Sequence, residues 1–239
     1  MDVCVVGAGI IGAATAYHLA RLGARVTVIE ANRELRGASY ATFGWINANG
    51  KQPDHYFELN RTGMSEHDEL ARSLGNSSWL HRTGSLAWTG DVAGDALAAR
   101  VAEHASRDYP AELISAAVVR EIEPELEATF KAATWDVAYF PSEGWVETET
   151  LIGLLLGAAK TAGASARPGF RVQGVEAHNG GATVTLEGGS RIGADVVVNC
   201  AGPDAGMLAG FAGLLIVLAV ISAVDLAWVL HRKARGEPG

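Results

Sequence analysis

Cysteine is nearly absent: Cys4 and Cys200 are the only two in 239 residues. A disulfide framework needs more, and Cys4 and Cys200 lie too far apart in sequence to form a C-x-x-C, so neither is expected. Basic charge is scarce as well. Lys and Arg total 19 against 27 Asp and Glu, a formal net charge of −8, and neither nucleic acid nor an anionic membrane surface rewards such a balance. The seven histidines show no H-E-x-x-H spacing, so no metal is expected. There is no G-x-S-x-G, and Gly50-Lys51 fails as a phosphate loop because Trp45 and Gln52 stand where Gly and Ser or Thr are needed. No basic leader precedes the first apolar run, so the chain is expected to begin in the cytoplasm. Asn60-Arg61-Thr62 and Asn76-Ser77-Ser78 then carry no glycosylation meaning. No internal repeat or low-complexity segment is evident.

Apolar residues make up 49% of the chain, enough to bury a core and to set aside disorder. Val3–Val6 is a short apolar run ending at glycine, which predicts a buried parallel strand. Ile10–Leu22 has helical spacing and is closed by Gly23. Arg25–Ile29 is β-branched and ends at Glu30. Strand, glycine turn, helix and strand in this order predict a right-handed βαβ unit.

Residues 32–49 are rich in Gly, Ala, Ser and Asn and read as a loop. Helices are expected at Tyr56–Leu74, Ala93–Ala105, Ser115–Ile122 and Thr148–Ala162, and strands at Gly84–Thr89 and Thr134–Phe140. Three further strands, Phe170–Ala177, Ala182–Glu187 and Ser190–Ile192, are punctuated by Gly180-Gly181 and Gly188-Gly189. Asp195–Asn199 reads as another buried parallel strand. Cys4 and Cys200 both fall in such apolar runs and are expected to be reduced core thiols.

Gly7-Ala8-Gly9-Ile10-Ile11-Gly12 is a G-x-G-x-x-G in the context that gives it meaning: it follows a strand, opens a helix, and an acidic residue ends the next strand. Gly7 permits the turn, Gly9 admits a pyrophosphate to the backbone, and Gly12 lets helix and strand approach. Helix amides supply the anion's donors. Glu30, with Ala31 beside it, stands where ribose hydroxyls are bound, and its charge disfavours the 2′-phosphate of NADP. The fingerprint alone leaves FAD and NAD both open.

The segment Arg36-Gly37-Ala38-Ser39-Tyr40-Ala41-Thr42-Phe43-Gly44-Trp45-Ile46-Asn47 resembles the second flavin-contacting loop of the D-amino-acid oxidase-like FAD-dependent oxidoreductases, which include glycine and sarcosine oxidases and D-amino-acid dehydrogenases. Gly84-Ser85-Leu86, Glu123-Pro124-Glu125-Leu126, Pro141 to Val146 and Ala194 to Pro203 resemble later family segments in the same order. The likeness covers roughly residues 1–206. It implies an α/β fold: a Rossmann-like FAD-binding domain with a parallel sheet (1–45 and 146–206), a partial α+β substrate domain (46–145) and an apolar C-terminal helix with a basic end (207–239).

The resemblance also implies roles. Gly7, Ala8, Gly9, Ile10, Ile11 and Gly12 would hold the FAD pyrophosphate, and Glu30 and Ala31 the adenosine ribose. Arg36, Gly37, Ala38, Ser39 and Thr42 would line the pyrophosphate and ribityl region. Phe43 and Gly44 would lie near the isoalloxazine, Val172 at the adenine, and Ala201 and Gly202 over the cofactor. The substrate implied is a small amine or amino acid, oxidised at its C–N bond by hydride transfer to the flavin. No catalytic side chain is singled out; His55 and Tyr56 read as a polar helix start and the tryptophans as core or surface aromatics.

Family members continue past the Gly202 position with more of the substrate sheet and a glycine-rich return to the flavin. Here Ala205–Val224 is instead twenty residues without charge, about the length that spans a bilayer. Asp225, Leu226–Leu230 and a basic cluster ending at Arg235 follow. Membrane contact through 207–230 is one expectation for this tail; packing on an exposed edge of the fold is the other. Two rivals to the flavoenzyme remain: a catalytically impaired FAD-binding remnant attached to a membrane, and an NAD-dependent dehydrogenase.

Overall fold

The structure is a computed structural model that describes residues 1–33, 37–88, 94–126 and 136–211. It begins with β1 (Asp2–Val6), α1 (Ile10–Arg21), β2 (Arg25–Glu30), a 3-10 turn (Ala38–Tyr40) and β3 (Trp45–Ile46). Next come α2 (Asp54–Leu74), β4 (Leu80–His81), β5 (Ser85–Ala87), α3 (Gly94–Ser106), β6 (Glu112–Ile114) and α4 (Ala116–Ile122). A 3-10 turn (Pro124–Leu126), β7 (Val137–Phe140), β8 (Gly144–Val146), α5 (Thr148–Thr161) and β9 (Ser165–Pro168) follow. The last elements are β10 (Val172–His178), β11 (Gly181–Leu186), β12 (Arg191–Ala194), β13 (Val196–Asn199), a 3-10 turn (Gly202–Asp204) and α6 (Ala205–Phe211). They form two units: Met1–Thr42 with the described residues from Glu147 onward, and Phe43–Val146.

The first unit is built on a parallel sheet of order β13-β1-β2-β9. β1 has a neighbour on each side, and Val3, Cys4 and Val5 are almost wholly buried, which is why this segment is an unbroken apolar run. Helices α1 and α5 pack together, and their small and aliphatic residues, among them Ala13, Ala16 and Leu155, are buried. Cys4, Val6 and Ile29 instead cluster with Val175, Val184, Leu186 and Leu208 from the antiparallel sheet β10-β11-β12 and from α6. Each such aliphatic side chain contributes about 1.5–3 kcal/mol on burial, so these clusters hold the sheet against its covering layers. α1 ends as its sequence predicts: Gly23 takes φ +84°, and its amide and that of Ala24 close onto Ala20 and Leu19 carbonyls.

Several sequence expectations need correction. β9, Ser-Ala-Arg-Pro, escapes the sequence reading because all four residues are exposed and polar or small; it pairs with β2 through the backbone and one exposed bond from the Ser165 hydroxyl to the Thr27 hydroxyl at 3.2 Å. The first glycine pair does not split the hairpin evenly. His178 faces Gly181, so Asn179-Gly180 forms the two-residue turn, the Asn-Gly step favoured by hairpin twist, and Gly181 opens β11. β13 is only half-buried, since β1 is its one partner among the described strands. Cys200 lies past the end of β13 and is half-buried, whereas Cys4 is fully buried in β1.

Burial raises the Cys4 thiol from its ordinary 9.0 to about 11. The folded pKa is the higher one, so the neutral thiol's contribution is intact below pH 9 and is lost as pH climbs to 11, where only the unfolded chain ionises freely. The loss approaches about 3 kcal/mol across that range. Urea denaturation between pH 8 and about 11 is expected to show a steeper fall for the native chain than for Cys4→Ala; parallel curves would refute this.

The second unit has two short antiparallel sheets, β3-β8-β4 and β5-β7-β6, around Ile46, Phe57, Met64, Leu97, Tyr109 and Phe140. At its centre lies Glu143, with no exposed surface. Its carboxylate accepts from the Tyr109 hydroxyl at 2.6 Å, the Asn49 amide at 3.2 Å and the Ser85 hydroxyl. Tyr109 in turn accepts from the Ala48 amide at 3.0 Å, and burial together with Glu143 pushes its phenol well above the usual range.

Of the expected 207–239 helix, the described part is the end of α6 at Phe211; the remainder lies outside the described residues. Among the described residues no helix is long and apolar enough to cross a membrane.

Candidate functional site: a cleft at the mouth of the first helix

β1 stops at Gly7, whose φ of +105° suits glycine. The Gly7 amide donates to the Ile29 carbonyl at 2.8 Å, and the Cys200 amide donates to the Val6 carbonyl at 2.8 Å. The turn is thus pinned between β2 and the end of β13. A side chain on Gly7 would overlap the Cys200 carbonyl, and one on Gly12 would overlap the Gly7 carbonyl. These two glycines therefore serve the packing of the turn.

Gly9 is different. It caps α1 without a side-chain hydrogen bond, and no acidic residue lies in the first turn. The positive end of the helix is left to whatever enters. A Cβ on Gly9 would come within 3.1 Å of Ser39 Oγ, filling the gap between helix and loop. Ser39 Oγ accepts from the Ile10 amide at 3.1 Å, so its own proton is free to be donated into the cleft.

These groups line a cavity of about 550 Å³ together with Ile10, Ile11, Glu30, Ala31, Gly37, Ala38, Val172, Ala201 and Gly202. That is a typical cofactor-site volume. Glu30 is held at the end of β2 by three donors: the Ala8 amide at 2.9 Å, the Asn32 amide at 2.9 Å and the Asn32 side chain at 3.1 Å. Asn32 fills both acceptor positions of Oε1, while Oε2 accepts from Ala8 alone and keeps acceptor capacity for a hydroxyl. Burial and the nearby carboxylates of Glu149 and Glu30 raise the Tyr40 phenol. The cleft is therefore acidic beside Glu30 and bare and donor-rich at Gly9, which suits a ribose next to a phosphate. Among the described residues no group of metal-ligating side chains comes together.

Not all the expected residues line this cavity. Ala8 is buried and its amide is committed to Glu30, while Gly12 sits behind Gly7. Thr42 does not line the cavity. Phe43 and Gly44 begin the second unit, because the Gly44 carbonyl accepts from Val146 at 2.9 Å as β3 pairs with β8. Arg36 lies outside the described residues. Conversely, the sequence reading missed Asn32, Phe170, Arg171, Pro203, Asp204 and Met207. An asparagine two positions past the ribose carboxylate was the only local signal; the others reach the cleft through sheet pairing.

A parallel sheet whose first βα turn faces an open cleft, with an acidic residue ending the second strand, defines a dinucleotide-binding α/β protein. The chain belongs to the family of FAD dependent oxidoreductases, whose pattern matches residues 2–232; the match thus runs past residue 206, the limit of the resemblance read from the sequence. Glycine oxidase of Geobacillus kaustophilus (strain HTA426) is 28% identical over 221 residues, covering 89% of this chain and 57% of that protein. The crystal structure of glycine oxidase from Geobacillus kaustophilus superposes with a TM-score of 0.78 at 26% identity, covering 90% of this chain and 59% of the other. That of iminodiacetate oxidase from Chelativorans sp. BNC1 does so at 0.75 and 26%, covering 89% and 58%. The chain spans less than two thirds of the length of each.

Proposed function

We propose that this chain binds FAD in the cleft at α1 and serves oxidation of the C–N bond of an amine or amino acid. The observation that carries the binding half is the bare Gly9 between a helix start without an acidic residue and the Ser39 hydroxyl, with Glu30 fixed beside it. Gly9 and the amides of the first turn would hold the diphosphate, with Ser39 donating to it and Gly7 and Gly12 shaping the turn. Glu30 would accept from the ribose. Gly37, Ala38, Ala201 and Gly202 would allow close approach of the backbone, and Val172 would meet the adenine. When bound, the isoalloxazine supplies a two-electron acceptor for a hydride from the carbon next to nitrogen. Support for an amine or amino-acid substrate comes from relatives named glycine oxidase and iminodiacetate oxidase.

The purified full chain is expected to take up FAD stoichiometrically, giving yellow protein with quenched flavin fluorescence, and to be bleached anaerobically by one or more of a panel of amino acids and secondary amines. A protein that cannot be loaded with FAD rejects the proposal. One that loads but is never bleached favours the second reading, a cofactor-binding remnant, for which the charge-free run Ala205–Val224 would be a membrane attachment.

A further inference from the structure

The far wall of the cleft contains two apolar side chains that the fold leaves unburied. Phe170, just before β10, is 41% exposed, and Met207, in the first turn of α6, is 50% exposed, yet both line the cavity. Their near neighbours Val172 and Leu208 belong to the core, so the backbone at each point is anchored. Phe170 is seated beside Glu30: its amide donates to the Glu30 carbonyl at 2.9 Å, and the Gly169 amide donates to the Asn32 carbonyl at 3.2 Å. The two segments that carry these side chains are tied by an ion pair, Arg171 to Asp204, at 3.2 Å. Arg171 lies next to Phe170, and Asp204 lies three residues before Met207.

Resting on the FAD reading, we infer that Phe170 and Met207 form a slot that takes the adenine ring flat between an aromatic face and a thioether, with the Arg171–Asp204 pair joining the walls beside it. An adenine joined to a ribose on Glu30 must lie near that carboxylate, and Phe170 is the ring placed there. Stacking of a base on an aromatic side chain is sequence-tolerant and substantial, and a polarizable sulfur suits the opposite face. Without a base, both side chains leave apolar surface in water. Arg171 and Asp204 are about half exposed, so their pair acts on the spacing of the walls more than on stability.

The test is titration of the full chain with FAD, ADP and FMN, read by calorimetry and flavin fluorescence. Phe170→Ala and Met207→Ala are expected to weaken FAD and ADP to a similar degree, about tenfold for Phe170→Ala, and to leave FMN, which has no adenine, unchanged. Phe170→Trp is expected to restore both, which a merely structural role would not do. Both side chains are exposed, so the apo variants should melt with the native chain. Native-like ADP affinity in both alanine variants overturns the slot while leaving the FAD reading intact. A native chain that binds neither FAD nor ADP overturns both.

Discussion

Gly12→Ala is expected to cost the first unit about 3 kcal/mol or more and to abolish FAD uptake with it. The added methyl would occupy the place of the Gly7 carbonyl. That carbonyl cannot retreat, because Gly7 is bonded to Ile29 on one side and the backbone just before it holds Cys200 on the other. Relief requires shifting α1 off β1, which opens the packing of Ala13 and Ala16 and moves the helix mouth. Gly9→Val provides the contrast. Its Cβ meets only the Ser39 hydroxyl, at 3.1 Å, so the fold should survive with a small shift while the diphosphate seat is filled. Denaturation midpoints and FAD fluorescence quenching separate the two: Gly12→Ala loses both, Gly9→Val loses the second. A Gly12→Ala chain with a native midpoint would contradict the packing described.

Glu143→Ala should be the most damaging single change in the second unit. It leaves the buried Asn49 amide and the part-buried Ser85 hydroxyl without this acceptor, and the buried Tyr109 hydroxyl with only the Met64 thioether at 3.6 Å. Each buried unpaired group costs about 1–3 kcal/mol. Partial relaxation makes the sum less than additive, so the expected loss is about 4 kcal/mol. Glu143→Gln keeps one acceptor and should lose roughly half as much. The measurement is urea unfolding followed by near-UV circular dichroism, which reports buried Trp79 and Tyr109. Equal midpoints for the native chain and Glu143→Ala would show that these bonds contribute nothing net. The network links positions 49, 85, 109 and 143, so the buried carboxylate acts as a tie between segments that share no local structure.

What could be read from the sequence follows from how locally each feature is encoded. β1, α1 and β2 were legible because a doubly covered strand must be apolar throughout, and because the turn between them tolerates only glycine at Gly7 and Gly12. The helices α2, α3, α4 and α5 were legible from their spacing, to within two residues at their ends. β3, β4, β6 and β8 are two or three residues long, too short for a period of two to show. β9 carries no apolar signal because it lies at an exposed sheet edge. The near wall of the cleft was visible as a motif. The far wall was not, because Phe170, Arg171, Asp204 and Met207 share no spacing with the fingerprint and meet it only through the pairing of β13 with β1 and of the segment before β10 with β2. Glu143 lacked any signal beyond its place in a turn.

That pairing also sets an order of events during synthesis. β1 leaves the ribosome before β13, and the strand that flanks it on one side, through Val3 with Val196 and Val6 with Asn199, is made only after residues 43–146 have emerged with a core of their own. The nascent chain must keep one hydrogen-bonding edge of this apolar strand unclaimed until residues 196–199 are made. The far wall of the cleft, carried by the segment before β10 and by α6, is likewise made after residues 43–146, so the cleft is complete for a cofactor only once α6 has followed β13.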